Sequence, residues 1–97
     1  MKTISAADLE QQYQSEQLAI VDVRERHEFQ AGHIPTAANL PLSELETSYK
    51  KLEPQYKYYI ICQAGARSAA ACQFLAMQGF DVTNVSGGMN AWSGEIK

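Results

Sequence analysis

Along the chain, short continuous apolar runs alternate with longer stretches in which apolar residues recur every three or four positions. The first pattern reads as buried strand and the second as amphipathic helix, so their alternation predicts an α/β domain: a mostly parallel central sheet flanked by helices on both faces. Ser5 followed by Asp8 resembles a capping box, and Leu9 and Tyr13 share a face, which predicts a first helix reaching about residue 14. A strand over 18–23 ends in the charged group Asp22, Arg24, Glu25 and Arg26, before a short helical turn closed by Gly32. Further elements are a short strand over 38–40, a helix over 43–52 stopped by Pro54, and a β-branched and aromatic strand over 58–62. A helix over 68–78 stopped by Gly79, a strand over 81–85, and a last short helix carrying Trp92 complete the chain. There is no repeat, linker or low-complexity run.

Length and charge narrow this picture. The 97 residues suit one domain spanning 1–97, so a site must be built within it. A formal net charge of −3 gives no basic footprint for nucleic acid or an anionic membrane, and neither is an expected partner. The start has no apolar signal-peptide core and no later run matches a membrane helix, so the expected location is cytoplasmic.

Candidate chemistry centres on Cys62. It ends a buried strand and precedes a bend, Gln63, Ala64, Gly65, Ala66 and Arg67, that leads into a helix. Open α/β sheets bind ligands at such strand ends. Backbone N–H groups curling around the sulfur, together with the helix N-terminus, would stabilise a thiolate. The plain alternative is a small buried apolar cysteine; the bend and Arg67 argue for the functional one, because an arginine beside a positive dipole end favours a bound anion. Cys72 shares a helical stripe with Leu75 and Ala76 and reads as a core thiol. The spacing of Cys62, Cys72, His27 and His33 matches no zinc pattern, so no metal is expected.

Three segments resemble the rhodanese-like domain family. They are the loop from Cys62 to Ser68; Asp22-Val23-Arg24-Glu25 through Glu28-Phe29 and Gly32-His33-Ile34-Pro35 to Ala37-Ala38-Asn39-Leu40-Pro41; and Val85-Ser86-Gly87-Gly88-Met89 with Ala91-Trp92. Thr36 departs from the glycine usual after Ile-Pro. The resemblance implies a sulfurtransferase with no cofactor. Cys62 would take a sulfane sulfur from thiosulfate or a persulfide and pass it to a thiol or cyanide, with Gln63 to Arg67 binding the substrate and sulfur-carrier proteins as further partners. Asp22, Arg24, Glu28 and His33 suggest a polar network, for which a satisfied structural role is favoured over support of the site, and His33 is not read as a catalytic base. Three other readings stay open: a non-catalytic binding module on the same fold; a cysteine phosphatase, whose loop is one residue longer between cysteine and arginine; and thiol sensing through Cys62 oxidation, read as a side reaction in the absence of a resolving thiol.

Overall fold

The computed structural model describes residues 1–97. Five strands, β1 (Lys2–Ser5), β2 (Ala19–Asp22), β3 (Ala38–Asn39), β4 (Lys57–Ile61) and β5 (Asp81–Ser86), form one sheet in the order β1-β5-β4-β2-β3. Every pairing is parallel. Four α-helices, α1 (Ala6–Ser15), α2 (Arg26–Ala31), α3 (Leu45–Ser48) and α4 (Ala66–Met77), lie between the strands. Parallel strands need such crossovers, and they bury both faces of the sheet.

The apolar side chains divide accordingly. Val21, Ile60, Cys62, Leu75 and Val82 belong to one cluster, and Leu9, Ile20, Tyr59, Ile61 and Val85 to another. Successive strand residues point to opposite faces, which is why Ile60 and Ile61 enter different cores. Helix α1 begins where Ser5 Oγ accepts the Asp8 N–H at 3.0 Å. Helix α4 buries Ser68, Ala71, Cys72 and Leu75, one stripe at helical spacing.

The chain leaves β2 for β3 on one side and later builds β4 and β5 on the other. The sheet order therefore reverses between β2 and β4, where the carboxyl ends of both strands stand side by side, Asp22 in register with Ile61. This switch point is where an open α/β sheet leaves a crevice. Arg24 and Cys62 lie just beyond these two ends.

Several elements differ from the sequence pattern. Strand β1 was absent from it; three of its four residues are exposed at the sheet edge, so no alternation marks it. The helix expected over 43–52 is a 3-10 turn (Leu42–Glu44), α3 and a second 3-10 turn (Tyr49–Lys51), the tightening common at helix ends. Helix α4 starts at Ala66 rather than near residue 68, which puts Arg67 inside its first turn. Trp92 follows a 3-10 turn (Gly88–Ala91) instead of lying within a helix. Thr36 is accommodated: Ala37 N–H closes its turn on the Ile34 carbonyl at 2.9 Å, and positive φ is confined to glycines. No helix is long and apolar enough to cross a membrane.

Candidate active site

Strand β4 ends at Ile61, and the backbone then turns under the control of the segment after β5. Met89 N–H donates to the Cys62 carbonyl at 2.8 Å and Asn90 N–H to the Gln63 carbonyl at 2.9 Å. Gly88 permits this approach, since a Cβ there would lie 2.3 Å from the Cys62 oxygen. With those carbonyls fixed outward, the following amides turn back toward the sulfur. Gly65, at φ +110° as the N-cap of α4, completes the bend in a conformation that favours glycine.

Cys62 Sγ accepts the Gly65 N–H at 3.1 Å and the Ser68 N–H at 3.2 Å. Ser68 Oγ stands 3.2 Å from the sulfur and 3.1 Å from the Gly65 carbonyl. The serine has one hydroxyl hydrogen and two acceptors for it. When Cys62 is a thiol, S–H donates to Ser68 Oγ and the serine donates to Gly65. When Cys62 is a thiolate, the hydroxyl turns to the sulfur, and Asn84 Nδ2, 3.4 Å away, remains a donor to the Gly65 carbonyl.

Cys62 is only 1% exposed, with hydrocarbon core behind it and the polar bend in front. Burial is the largest single influence on its thiol and pushes the pKa up. The Ser68 hydroxyl and the amides of Ser68, Gly65 and Ala64 outweigh that and bring it below the ordinary value. Cys72 has no such donors: burial, aided by the charge of Cys62, pushes it up to about 11. Two buried cysteines of one core thus differ through hydrogen bonding.

Of the bend residues singled out in the sequence, Gly65 donates directly to the sulfur, while the amides of Gln63, Ala66 and Arg67 make no hydrogen bond to it. Ser68 is not one of those bend residues, although its amide donates to the sulfur and its hydroxyl lies against it; its signal is a hydroxyl residue one helical turn past the glycine. The Arg67 guanidinium turns to α2, where its two Nη atoms meet Glu28 Oε1 and Oε2 at 2.7 and 2.9 Å. That side-chain hydrogen bonding holds the Glu28 carboxyl at about 2 against an ordinary 4.5.

The four polar residues expected to form one network separate into three arrangements. Asp22 and Arg24 form a buried pair, with Nη2 2.8 Å from Oδ2, and Arg24 also donates to the Gly32 carbonyl at 2.8 Å and to Gln63 Oε1 at 3.1 Å. Gln63 in turn donates to Asn90 Oδ1 at 2.6 Å. Glu28 belongs with Arg67. His33 lies apart, stacked on Phe29 and with Nδ1 2.7 Å from the Phe29 carbonyl. Residues 39 positions apart in sequence meet because β2 and β4 are neighbours.

The chain is similar in sequence and fold to known proteins. The chain is 39% identical over 98 residues to a Bacillus subtilis protein named "Putative sulfurtransferase YtwF", covering all of this chain and 95% of that one. It is 41% identical over 83 residues to the B. subtilis "Putative sulfur carrier protein YrkF", covering 84% of this chain and 45% of that protein. A rhodanese-related protein from Thermoplasma volcanium superposes with a TM-score of 0.92 at 37% identity, covering all of this chain and 98% of its own. A rhodanese-like domain protein from Staphylococcus aureus gives 0.93 at 35%, covering all of this chain and 97% of its own. The rhodanese-like domain model itself matches residues 5–95, and with the cysteine bend at the sheet's switch point this makes the chain a member of the rhodanese-like domain family.

Proposed function

We propose that the protein is a sulfurtransferase, moving a sulfane sulfur from a donor such as thiosulfate or a persulfide to a thiol or cyanide through a persulfide on Cys62. The observation that carries this reading is the cradle around one sulfur atom, to which the Gly65 and Ser68 amides donate and against which the Ser68 hydroxyl lies at 3.2 Å, able to donate once the sulfur is ionised. These donors favour the thiolate over the thiol, and the reading therefore assigns no general base to the attack. With thiosulfate, the Cys62 thiolate attacks the outer sulfur; the S–S bond breaks, sulfite leaves with the electron pair, and the Cys62 persulfide anion remains. An acceptor thiolate or cyanide then attacks the terminal sulfur and regenerates the Cys62 thiolate.

Gln63 to Arg67 form the substrate-binding bend in this reading, with Ser68 added. At 1% exposure Cys62 is nearly enclosed, which opposes its ionisation, and the reading requires the bend to admit the donor's outer sulfur. The assignment is strengthened by relatives whose names denote sulfur transfer and sulfur carriage. A phosphatase is disfavoured by the engagement of Arg67 with Glu28, since phosphoryl transfer needs that guanidinium on the phosphate.

Intact-mass and peptide mass spectrometry after incubation with thiosulfate, and separately with an alkyl persulfide, test the reading. The expected result is a gain of one sulfur on Cys62 that dithiothreitol reverses. No adduct with either donor would leave the binding-module alternative standing.

A further inference from the structure

Both guanidinium groups associated with the cysteine bend are occupied by carboxylates of the protein itself. Arg24 spends its Nε and Nη2 on Asp22 and its remaining contacts on Gly32 and Gln63. Arg67 presents its fork to both oxygens of Glu28. Glu28 is anchored in turn by the Glu25 N–H, 3.0 Å from Oε1, within the capping box of α2. What remains for a substrate is the neutral set of donors around Cys62.

We propose that Glu28 is a specificity-determining residue of the Cys62 site: by holding Arg67 it disfavours dianionic donors such as thiosulfate and selects donors that carry the sulfane sulfur on an organic thiol. This rests on the sulfurtransferase reading. A persulfide that reacts as R–S–S–H brings no charge that needs a guanidinium. Thiosulfate brings a second charge on its sulfonate, and the guanidinium nearest to receive it, that of Arg67, is held by both oxygens of Glu28. To be bound by Arg67 it must displace the Glu28 carboxylate from a bidentate pair and then lie beside that like charge. With the organic donor, the Cys62 thiolate attacks the outer sulfur of R–S–S–H and forms the Cys62–S bond. The donor's S–S bond breaks, its electron pair leaves on R–S, and the proton of the transferred sulfur goes with it, giving R–SH and the Cys62 persulfide anion without net oxidation.

The test compares initial rates of Cys62 persulfide formation, by quenched intact-mass spectrometry, from thiosulfate and from the persulfide of N-acetylcysteine amide, in the wild-type chain and in Glu28→Gln. Glutamine keeps the side chain's length and an oxygen for the Glu25 N–H. The wild type is expected to load faster from the persulfide. In Glu28→Gln the thiosulfate-to-persulfide rate ratio is expected to rise about tenfold, the worth of one charge-assisted contact returned to the anion. Added sulfate is expected to inhibit persulfide loading more strongly in Glu28→Gln than in the wild type. A folded Glu28→Gln with an unchanged or lower ratio would overturn the inference while leaving sulfur transfer intact. Wild-type loading from thiosulfate at least as fast as from the persulfide would overturn it without any variant. Failure of both donors on both proteins would remove the sulfurtransferase reading and this inference with it.

Discussion

The backbone of Gly88 packs directly on that of Cys62: a side chain at 88 would bring its Cβ to 2.3 Å of the Cys62 carbonyl oxygen and 2.7 Å of that of Gln63. Two segments distant in sequence are therefore pressed together where the cysteine bend takes its shape. The same carbonyls accept the Met89 and Asn90 amides, so the close approach and the hydrogen bonds depend on each other.

Gly88→Ala tests that dependence. The residue has φ +53°, where a side chain adds its own strain, and overpacking against rigid backbone typically costs about 1–3 kcal/mol. The expected outcome is a lower urea midpoint together with slower persulfide formation on Cys62. A fully loaded and equally stable variant would show that the bend holds its shape unaided.

Cys62→Ser is expected to remove sulfur transfer while leaving the circular dichroism spectrum and thermal midpoint close to wild type. The hydroxyl is close in shape and can use the same donors, yet it does not ionise near neutral pH and cannot carry a sulfane sulfur. Steady-state thiocyanate formation measures the first expectation and a melting curve the second.

Ser68→Ala removes the hydroxyl that donates to the ionised sulfur and leaves the amides of Gly65 and Ser68 in place. A hydrogen bond to a charged group contributes about 1.5–3 kcal/mol, which corresponds to roughly one to two pKa units. Because the lost donor favours the charged form, the Cys62 pKa should move up. The alkylation rate by iodoacetamide, followed against pH, should show its inflection displaced to higher pH by that amount. An unmoved inflection would mean that the serine hydroxyl stays on the Gly65 carbonyl in both states.

Arg24→Ala leaves Asp22, which is 1% exposed, as a buried carboxylate without its cation. Breaking one side of a buried ion pair usually destabilises by about 3–5 kcal/mol, a large share of a small domain's stability. Urea unfolding at neutral pH should show the loss.

How legible these features were in the sequence depended on how local their causes are. The capping of α1 by Ser5, the buried run before Cys62 and the stripe that Cys72 shares with Leu75 all arise from interactions within a few residues, and each leaves a periodicity or a cap signature; Ala76, expected on that stripe, is exposed, and Ser68 and Ala71 take its place. Strand β1 left none, because an exposed edge strand takes its order from pairing with β5 and not from its own Lys2-Thr3-Ile4-Ser5 composition. The start of α4 was misplaced because the N-cap is Gly65, whose backbone conformation is set by contact with the turn at Gly87.

By itself, then, the sequence determined the order of strands and helices that follow β1, the placing of a cysteine beside a glycine bend, and the place of Cys72 on a buried helical stripe. Only the tertiary structure decided that Glu28 would take the Arg67 fork, that Arg24 would reach Gln63, and that Ser68 would complete the donors on the sulfur. The physical reason is that periodicity and capping act over one or two turns of chain. Ion pairs and sulfur-directed amides depend on which strand ends the sheet sets side by side, and that choice is made by both hydrophobic cores at once.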